Sequence, residues 1–249
     1  MSKVMPSPGA TIGQPLSRVR ARDGLYLGMS ILLLLIVLVG FAPTFFMRIL
    51  FDPPPISPYV HMHGALMTAW FVLFVVQTSL AYGGRVRSHR ELGVVTATIG
   101  FVAMLTATVA TWDNLVNPVI SNVRFLTTIV FGNLGVIVAF TALLTLAVLY
   151  RRRPEIHKRL MLFASISFVS PAVGRIAGWP IAMGADLAVF NNSAIVLLIL
   201  CVVTYELLGR RRVHWLTLAL GVSLMTIRVL FNMVIASSSA AQEFVQTFI

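Results

Sequence analysis

The chain has 249 residues, of which 58% are hydrophobic and only 11% are charged, and its mean hydropathy is +0.90. Soluble domains carry roughly 25% charged and 45–50% apolar residues, so this composition excludes a soluble enzyme, a disordered chain and a secreted disulfide scaffold. It indicates a membrane protein. The net charge of +11 would favour nucleic-acid binding in a soluble protein, but its distribution here indicates membrane topology.

Seven apolar segments are long enough to cross a bilayer, which takes about 20 helical residues. In chain order they cover approximately 26–48, 60–82, 92–112, 125–150, 160–182, 192–209 and 215–236. The predicted fold is an all-α transmembrane bundle of about seven helices, or six if the short sixth segment fails to span. A basic segment, 1–25, precedes the bundle, and a short tail, 237–249, follows it.

Most of the 19 Lys and Arg residues fall in four clusters between these segments. The clusters are Lys3, Arg18, Arg20 and Arg22; Arg85, Arg87 and Arg90; Arg151, Arg152, Arg153, Lys158 and Arg159; and Arg210, Arg211 and Arg212. Basic residues concentrate on the cytoplasmic side of membrane proteins. We therefore predict a protein of the bacterial inner membrane whose N-terminus lies inside and whose tail lies outside. We expect it to contact lipid and not nucleic acid.

Arg175 and Arg228 lie inside predicted spans, about fifteen residues and so roughly 22 Å from the inner ends of their helices. An unpartnered charge at that depth costs at least about 2.5 kcal/mol on insertion scales. No Asp or Glu occupies the middle of a span. We therefore expect an outer polar pocket whose counter-charge is an outer carboxylate (Asp52, Asp113 or Asp186) or a bound anionic group. The alternative is that both side chains extend to the outer headgroups.

His61 and His63 open the second helix at the same outer end. His63, Trp70 and Gln77 recur every seven residues, so they share one face, which we predict points into the protein. We assign His61, Trp70 and Gln77 to the outer polar pocket and treat His63 as a candidate cofactor ligand. The alternative is that this polar stripe only joins helices.

His89, His157 and His214 each begin an upward helix beside a basic loop, so they share one depth. Histidine is the commonest metal ligand and a usual axial ligand of heme. We predict His89 and His157 as cofactor ligands and His214 as a metal ligand. The alternative is that all three simply face headgroups. The repeated histidine turns also indicate a first helix followed by three hairpins.

Three further residues have simpler interpretations. Glu206 stands four residues before Arg210, and a local ion pair accounts for it. Cys201, the single cysteine, lies in an apolar run and cannot form an intramolecular disulfide. Pro171 predicts a kink in the fifth span.

Three motifs carry a family resemblance: His61-Met-His63-Gly, His89-Arg-Glu-Leu-Gly93 and Pro154-Glu-Ile-His157-Lys-Arg-Leu-Met161. With Trp70 and Gln77, they resemble a group of uncharacterised bacterial multi-pass inner-membrane proteins. That group is loosely similar to cytochrome b561-like and oxidase-assembly membrane families. The resemblance covers about residues 58–176 and implies that His63, His89 and His157 are the functional positions.

Three functions stay open at this point. The leading one is a redox-linked membrane protein that binds heme b or a quinone, with His89 and His157 as inner ligands. The second is a non-enzymatic subunit or assembly factor of a respiratory complex, whose histidines and arginines contact partners or lipids. The third is a small anion transporter that uses Arg175 and Arg228.

Overall fold

The described part of the chain is built of helices joined by turns, and the computed structural model covers residues 16–53, 55–118, 121–178 and 187–249. Lys3 and Asp186 lie outside these ranges, and the side chains of 16–23 and 210 are not described. The α-helices are α1 (Leu16–Phe41), α2 (Arg48–Phe51), α3 (Pro58–Tyr82), α4 (Val86–Val116), α5 (Val123–Leu149), α6 (Pro154–Phe168), α7 (Ser170–Ala177), α8 (Leu187–Arg210), α9 (Trp215–Val229) and α10 (Ser239–Gln246). Two π-helical turns, Ala42–Phe46 and Leu230–Ile235, continue α1 and α9.

Seven helical segments of the described chain are long and apolar enough to cross a membrane, which confirms the predicted all-α bundle. They are Gly24–Phe46, Pro58–Tyr82, Val86–Val116, Val123–Leu149, Pro154–Ala177, Leu187–Gly209 and Trp215–Ile235. The sixth has 23 residues, so the six-helix alternative is wrong. Because successive spans run in opposite directions, the turns 83–85, 150–153 and 211–214 lie at the same end of the bundle, which we call the basic end. We call the other end of the bundle the opposite end.

The fifth span, α6 and α7, forms the centre of the bundle. Of its most apolar stretch, 72% is buried, against 17–33% in the other six spans. It packs against α1, α5, α8 and α9. The helix is interrupted at Val169, and Pro171 stands in the first turn of α7. Because proline has no N–H to donate and clashes with the preceding turn, it explains this interruption.

An aromatic cluster joins α3, α5 and α6. The ring of Phe140 lies 4.9 Å from that of Trp70 and 4.7 Å from that of Phe168, and Phe71 stacks on Phe168 at 5.8 Å. A Cβ at Gly100 of α4 would come within 2.6 Å of the Trp70 ring, so α3 and α4 approach this closely only because glycine stands there. Close packing of this kind is what holds helices together in lipid.

The predicted tail, 237–249, contains the short helix α10 at the opposite end. The Ser238 hydroxyl accepts a hydrogen bond from the backbone N–H of Ala241 (3.3 Å) and so caps the helix. Val245 is fully buried against α4 and α5, and the Phe248 ring lies 5.8 Å from that of Trp112. The segment is therefore packed on the bundle.

A buried ion-pair network joins α6, α8 and α9 at the basic end. Arg159 is fully buried, and its Nη2 and Nε donate to Oε1 of Glu206 at 2.6 and 3.1 Å. Nε also donates to the Thr217 hydroxyl (3.1 Å), and Nη1 donates to Oε2 of Glu155 (2.9 Å). The second oxygen of Glu206 accepts from the backbone N–H of His214 (2.9 Å). Every charged group is thereby paired and hydrogen-bonded, as burial requires.

The network corrects one sequence interpretation. The sequence groups Arg159 with a basic surface cluster, whereas Arg159 lies on the face of α6 that turns toward α8 and α9. The predicted local pair of Glu206 with Arg210 involves a side chain outside the described residues; the oxygens of Glu206 accept hydrogen bonds from α6 and from the start of α9. Tertiary packing decides the contact between Arg159 and Glu206, because these residues are 47 positions apart.

The Arg159 network yields a stability prediction. Arg159→Met leaves Glu206 buried without its counter-charge, and we expect a loss of about 3–5 kcal/mol in the free energy of unfolding. The double variant Arg159→Met/Glu206→Leu should recover most of this loss, because an apolar pair replaces a buried ion pair at little cost. Denaturant unfolding in detergent measures both values. Arg87→Met, which breaks an exposed pair with Glu91, is the control and should cost under about 1 kcal/mol. A single Arg159 variant as stable as the wild type would contradict the prediction.

The odd number of spans yields a topology prediction. If the basic end faces the cytoplasm, residue 249 lies outside. Alkaline phosphatase fused after residue 249 should then be active, and green fluorescent protein fused there should be dark. Fusions after Arg153 should give the reverse result. A fluorescent fusion at residue 249 would refute the assigned orientation.

Candidate functional site

Two histidines from different hairpins meet at the basic end. His89 stands in the first turn of α4 and His157 in the first turn of α6. Their ring centroids are 6.3 Å apart, and the ring planes stand at 80° to one another. Both side chains are half-buried. We call these two residues the histidine pair.

Each ring is held through Nδ1 by the preceding helix. Nδ1 of His157 lies 2.8 Å from the carbonyl oxygen of Ala147 in α5, and Nδ1 of His89 lies 3.3 Å from the carbonyl oxygen of Gln77 in α3. When Nδ1–H of His157 donates to this carbonyl, Nε2 keeps its lone pair, which is the usual arrangement of a metal-binding histidine. Within the described residues, no hydrogen bond forms at Nε2 of either ring.

Gln77 also contacts His89 through its side chain, which is buried with 5% exposure. In the orientation that satisfies both ends, its carboxamide donates to the His89 carbonyl (3.1 Å) and accepts from the Thr96 hydroxyl (3.1 Å) and the Gly93 N–H (3.0 Å). The same amide nitrogen also reaches Nδ1 of His89 and, as a donor, competes there with an Nδ1–H that donates to the Gln77 carbonyl. Gln77 therefore influences which nitrogen of His89 carries the proton.

The sequence assigns Gln77 to the outer polar pocket, but in the structure Gln77 lies beside His89. Gln77 stands fourteen residues after His63 on one helix, about 21 Å at the helical rise, and that distance carries it to the basic end. The predicted inward orientation of its face is confirmed, because Trp70 and Gln77 are both buried. Trp70 belongs to the aromatic cluster, and its Nε1 is buried with no hydrogen-bond partner among the described residues.

His214 is not brought to the histidine pair. It stands just before α9, and its Nδ1 accepts the N–H of Leu216 (3.1 Å), so it caps that helix. Its ring stacks on Trp215 at 6.0 Å. The described residues contain no group of three His, Cys, Asp or Glu side chains that could hold a metal ion.

Exposed arginines flank the histidine pair on both loops. They are Arg85, Arg87, Arg90, Arg151, Arg152 and Arg153. Arg87 pairs with Glu91 (2.9 Å), and Arg153 lies 5.9 Å from the Tyr150 ring. In the described structure, Arg85, Arg90 and Arg152 form no ion pair. The surroundings of the pair are thus strongly positive and favour an anionic group.

His63 repeats the same anchoring at the opposite end. Its Nδ1 lies 3.2 Å from the carbonyl oxygen of Ala103 and 3.3 Å from the Thr106 hydroxyl, both in α4. Its ring centroid is 6.2 Å from that of Phe168. His61 is exposed, and its ring lies 6.1 Å from Phe45. Because His63 sits at the other end of α3, it is not a third ligand of the histidine pair.

Arg175 and Arg228, which the sequence places in one pocket, have different environments. Arg175 is exposed, and its guanidinium lies 4.2 Å from the Phe41 ring centroid. Arg228 is 6% exposed and is hydrogen-bonded to Asn191, Asn192 and Ser170 inside the bundle. Two adjacent asparagines in an apolar span, Asn191 and Asn192, are the sequence signal from which this contact could have been predicted.

Comparison with known protein families, with curated proteins and with solved structures finds no match to this chain. The chemistry of the site therefore rests on the geometry of its own residues. Of the predicted ligands, the structure brings His89 and His157 together, and they form the strongest candidate site.

Proposed function

We propose that this chain is a redox-linked protein of the bacterial inner membrane that binds heme b, with His89 and His157 as its axial ligands. The supporting observation is the 6.3 Å between their ring centroids. Two imidazoles that share one metal through Nε2, each at about 2.0 Å, have centroids about 6 Å apart. The histidine pair has this spacing.

The donor set favours heme over other metals. A zinc site takes three or four protein ligands, whereas the described residues offer two histidines and no third donor grouped with them. The porphyrin supplies four nitrogens itself, so two histidines complete the coordination of heme iron.

The pair fits a metal better than a quinone. When Nδ1 of neutral His157 donates to Ala147, Nε2 is an acceptor without a proton. The carbonyl oxygens of a quinone need hydrogen-bond donors, which this nitrogen does not supply. Iron, in contrast, binds that lone pair directly.

The surrounding residues would complete the site. Arg85, Arg90 and Arg152 provide positive charge for the heme propionates, since ion pairs between guanidinium and carboxylate are strong. The carbonyls of Ala147 and Gln77 orient the two rings, which is the part second-shell groups play at metal sites. When bound, heme would supply one-electron redox chemistry.

The decisive measurement is an absorption spectrum of the full chain purified in detergent, oxidised and dithionite-reduced, with pyridine extraction to count heme. We expect a sharp reduced α-band at near-stoichiometric heme. His89→Ala and His157→Ala should each lose most of the heme, because one axial ligand is removed.

Two histidines provide matched controls. His214→Ala, at the same end, and His63→Ala, at the opposite end, should both keep the α-band. Full heme retention in His89→Ala and His157→Ala would refute the ligand assignment. A colourless wild-type protein that co-purifies with an oxidase would instead support the subunit or assembly-factor function.

Gln77 yields a separate prediction for a positioning residue. Gln77→Leu keeps both ligands but removes the contacts with His89, and we expect heme affinity to fall about 10–100-fold. Heme transfer to apomyoglobin measures the loss rate, and a redox titration should show a shifted midpoint potential. Gln246→Leu, on the surface of α10, should change neither quantity. Equal loss rates and equal potentials in the Gln77 variant and the wild type would rule out this role.

A further inference from the structure

A second polar site surrounds Arg228, in the half of the bundle away from the histidine pair. Nε and Nη2 of Arg228 donate to Oδ1 of Asn192 at 3.1 and 2.9 Å. Nη2 also donates to Oδ1 of Asn191 (3.2 Å), and Nη1 donates to the Ser170 hydroxyl (2.8 Å). Side chains of α7 and α8 thus hold the guanidinium of Arg228, which belongs to α9.

All of these partners are neutral. Arg228 is 94% buried, since its exposure is 6%, and it forms no ion pair within the described ranges. Hydrogen bonds to amides and hydroxyls satisfy its donors but leave its net charge uncompensated. A lone buried charge is strongly unfavourable in a medium of low dielectric constant. Within the described residues, the site therefore lacks a negative charge.

One donor of Arg228 is available for such a group. A guanidinium has five N–H donors, and the four hydrogen bonds to Asn191, Asn192 and Ser170 leave one N–H on Nη1. A cavity of about 10 Å³ adjoins Arg228 and is also lined by Ser167, Asn232 and Gly132. That volume admits a single water-sized particle.

Two glycines of α5 allow close packing around this cavity. A Cβ at Gly132 would lie 2.6 Å from Oδ1 of Asn232, and one at Gly135 would lie 2.9 Å from Cβ of Phe231. Only glycine therefore lets α5 approach this part of the bundle. Asn232 belongs to the π-helical turn Leu230–Ile235, a type of turn that is frequent at functional sites.

We propose that this cavity binds a small monovalent anion of the chloride class, with Arg228 as its counter-charge. The volume of the cavity is about that of one water-sized probe, so phosphate and carboxylate ligands are too large for it. Arg175 takes no part, since its guanidinium lies over Phe41 at the surface. This site is independent of the heme proposal.

The test measures thermal unfolding of the full chain in detergent, titrated with sodium chloride against sodium gluconate at constant ionic strength. Binding to the folded state should raise the midpoint saturably, by roughly 3 °C or more at high chloride. Bromide, which is larger than chloride, should raise the midpoint less than chloride does, and sulfate should not raise it. Arg228→Gln should abolish the shift, whereas Arg175→Gln, the matched control, should keep it.

A second variant covers the case in which Arg228→Gln does not fold. Ser167→Val fills the cavity and leaves the contacts of Arg228 with Asn191, Asn192 and Ser170 in place, so it should fold and lose the chloride shift. A full shift in Ser167→Val, or no saturable shift in the wild type, would overturn the proposal.

Discussion

The buried pair between Arg159 and Glu206 is the contact on which the arrangement at the basic end depends. It joins the central helix α6 to α8, and the second oxygen of Glu206 holds the first residues of α9 through the His214 N–H. In lipid, apolar surfaces do not drive helices together as they do in water. A charge that must find its partner therefore fixes which helices adjoin and at what height.

The same constraint orients the histidine pair. A buried or half-buried imidazole needs a partner for its N–H, and the nearest carbonyl belongs to the preceding helix of its own hairpin. The two hairpins α3–α4 and α5–α6 solve this problem in the same way, so their histidines present matching faces. The third hairpin differs because His214 precedes its helix and is used as a cap.

The two ends of the bundle differ in how charge is handled. At the basic end, Arg159 is neutralised by carboxylates of the chain itself. At the opposite end, Arg228 is surrounded by neutral amides and a hydroxyl. Within the described residues, one buried arginine is thus compensated by carboxylates and the other only by neutral groups, and the proposed anion would supply the missing negative charge.

The sequence by itself determined the fold class, the seven spans and the inward face of α3, because hydropathy and helical periodicity are local properties. It also picked out His89 and His157. Only the tertiary structure decided that His89 and His157 lie close together and that Gln77 contacts His89. It also decided that Arg159 pairs with Glu206 and that Arg175 and Arg228 lie in different environments. The order of helices around the bundle sets those contacts. That order is fixed by packing between residues far apart in the chain, which no local pattern records.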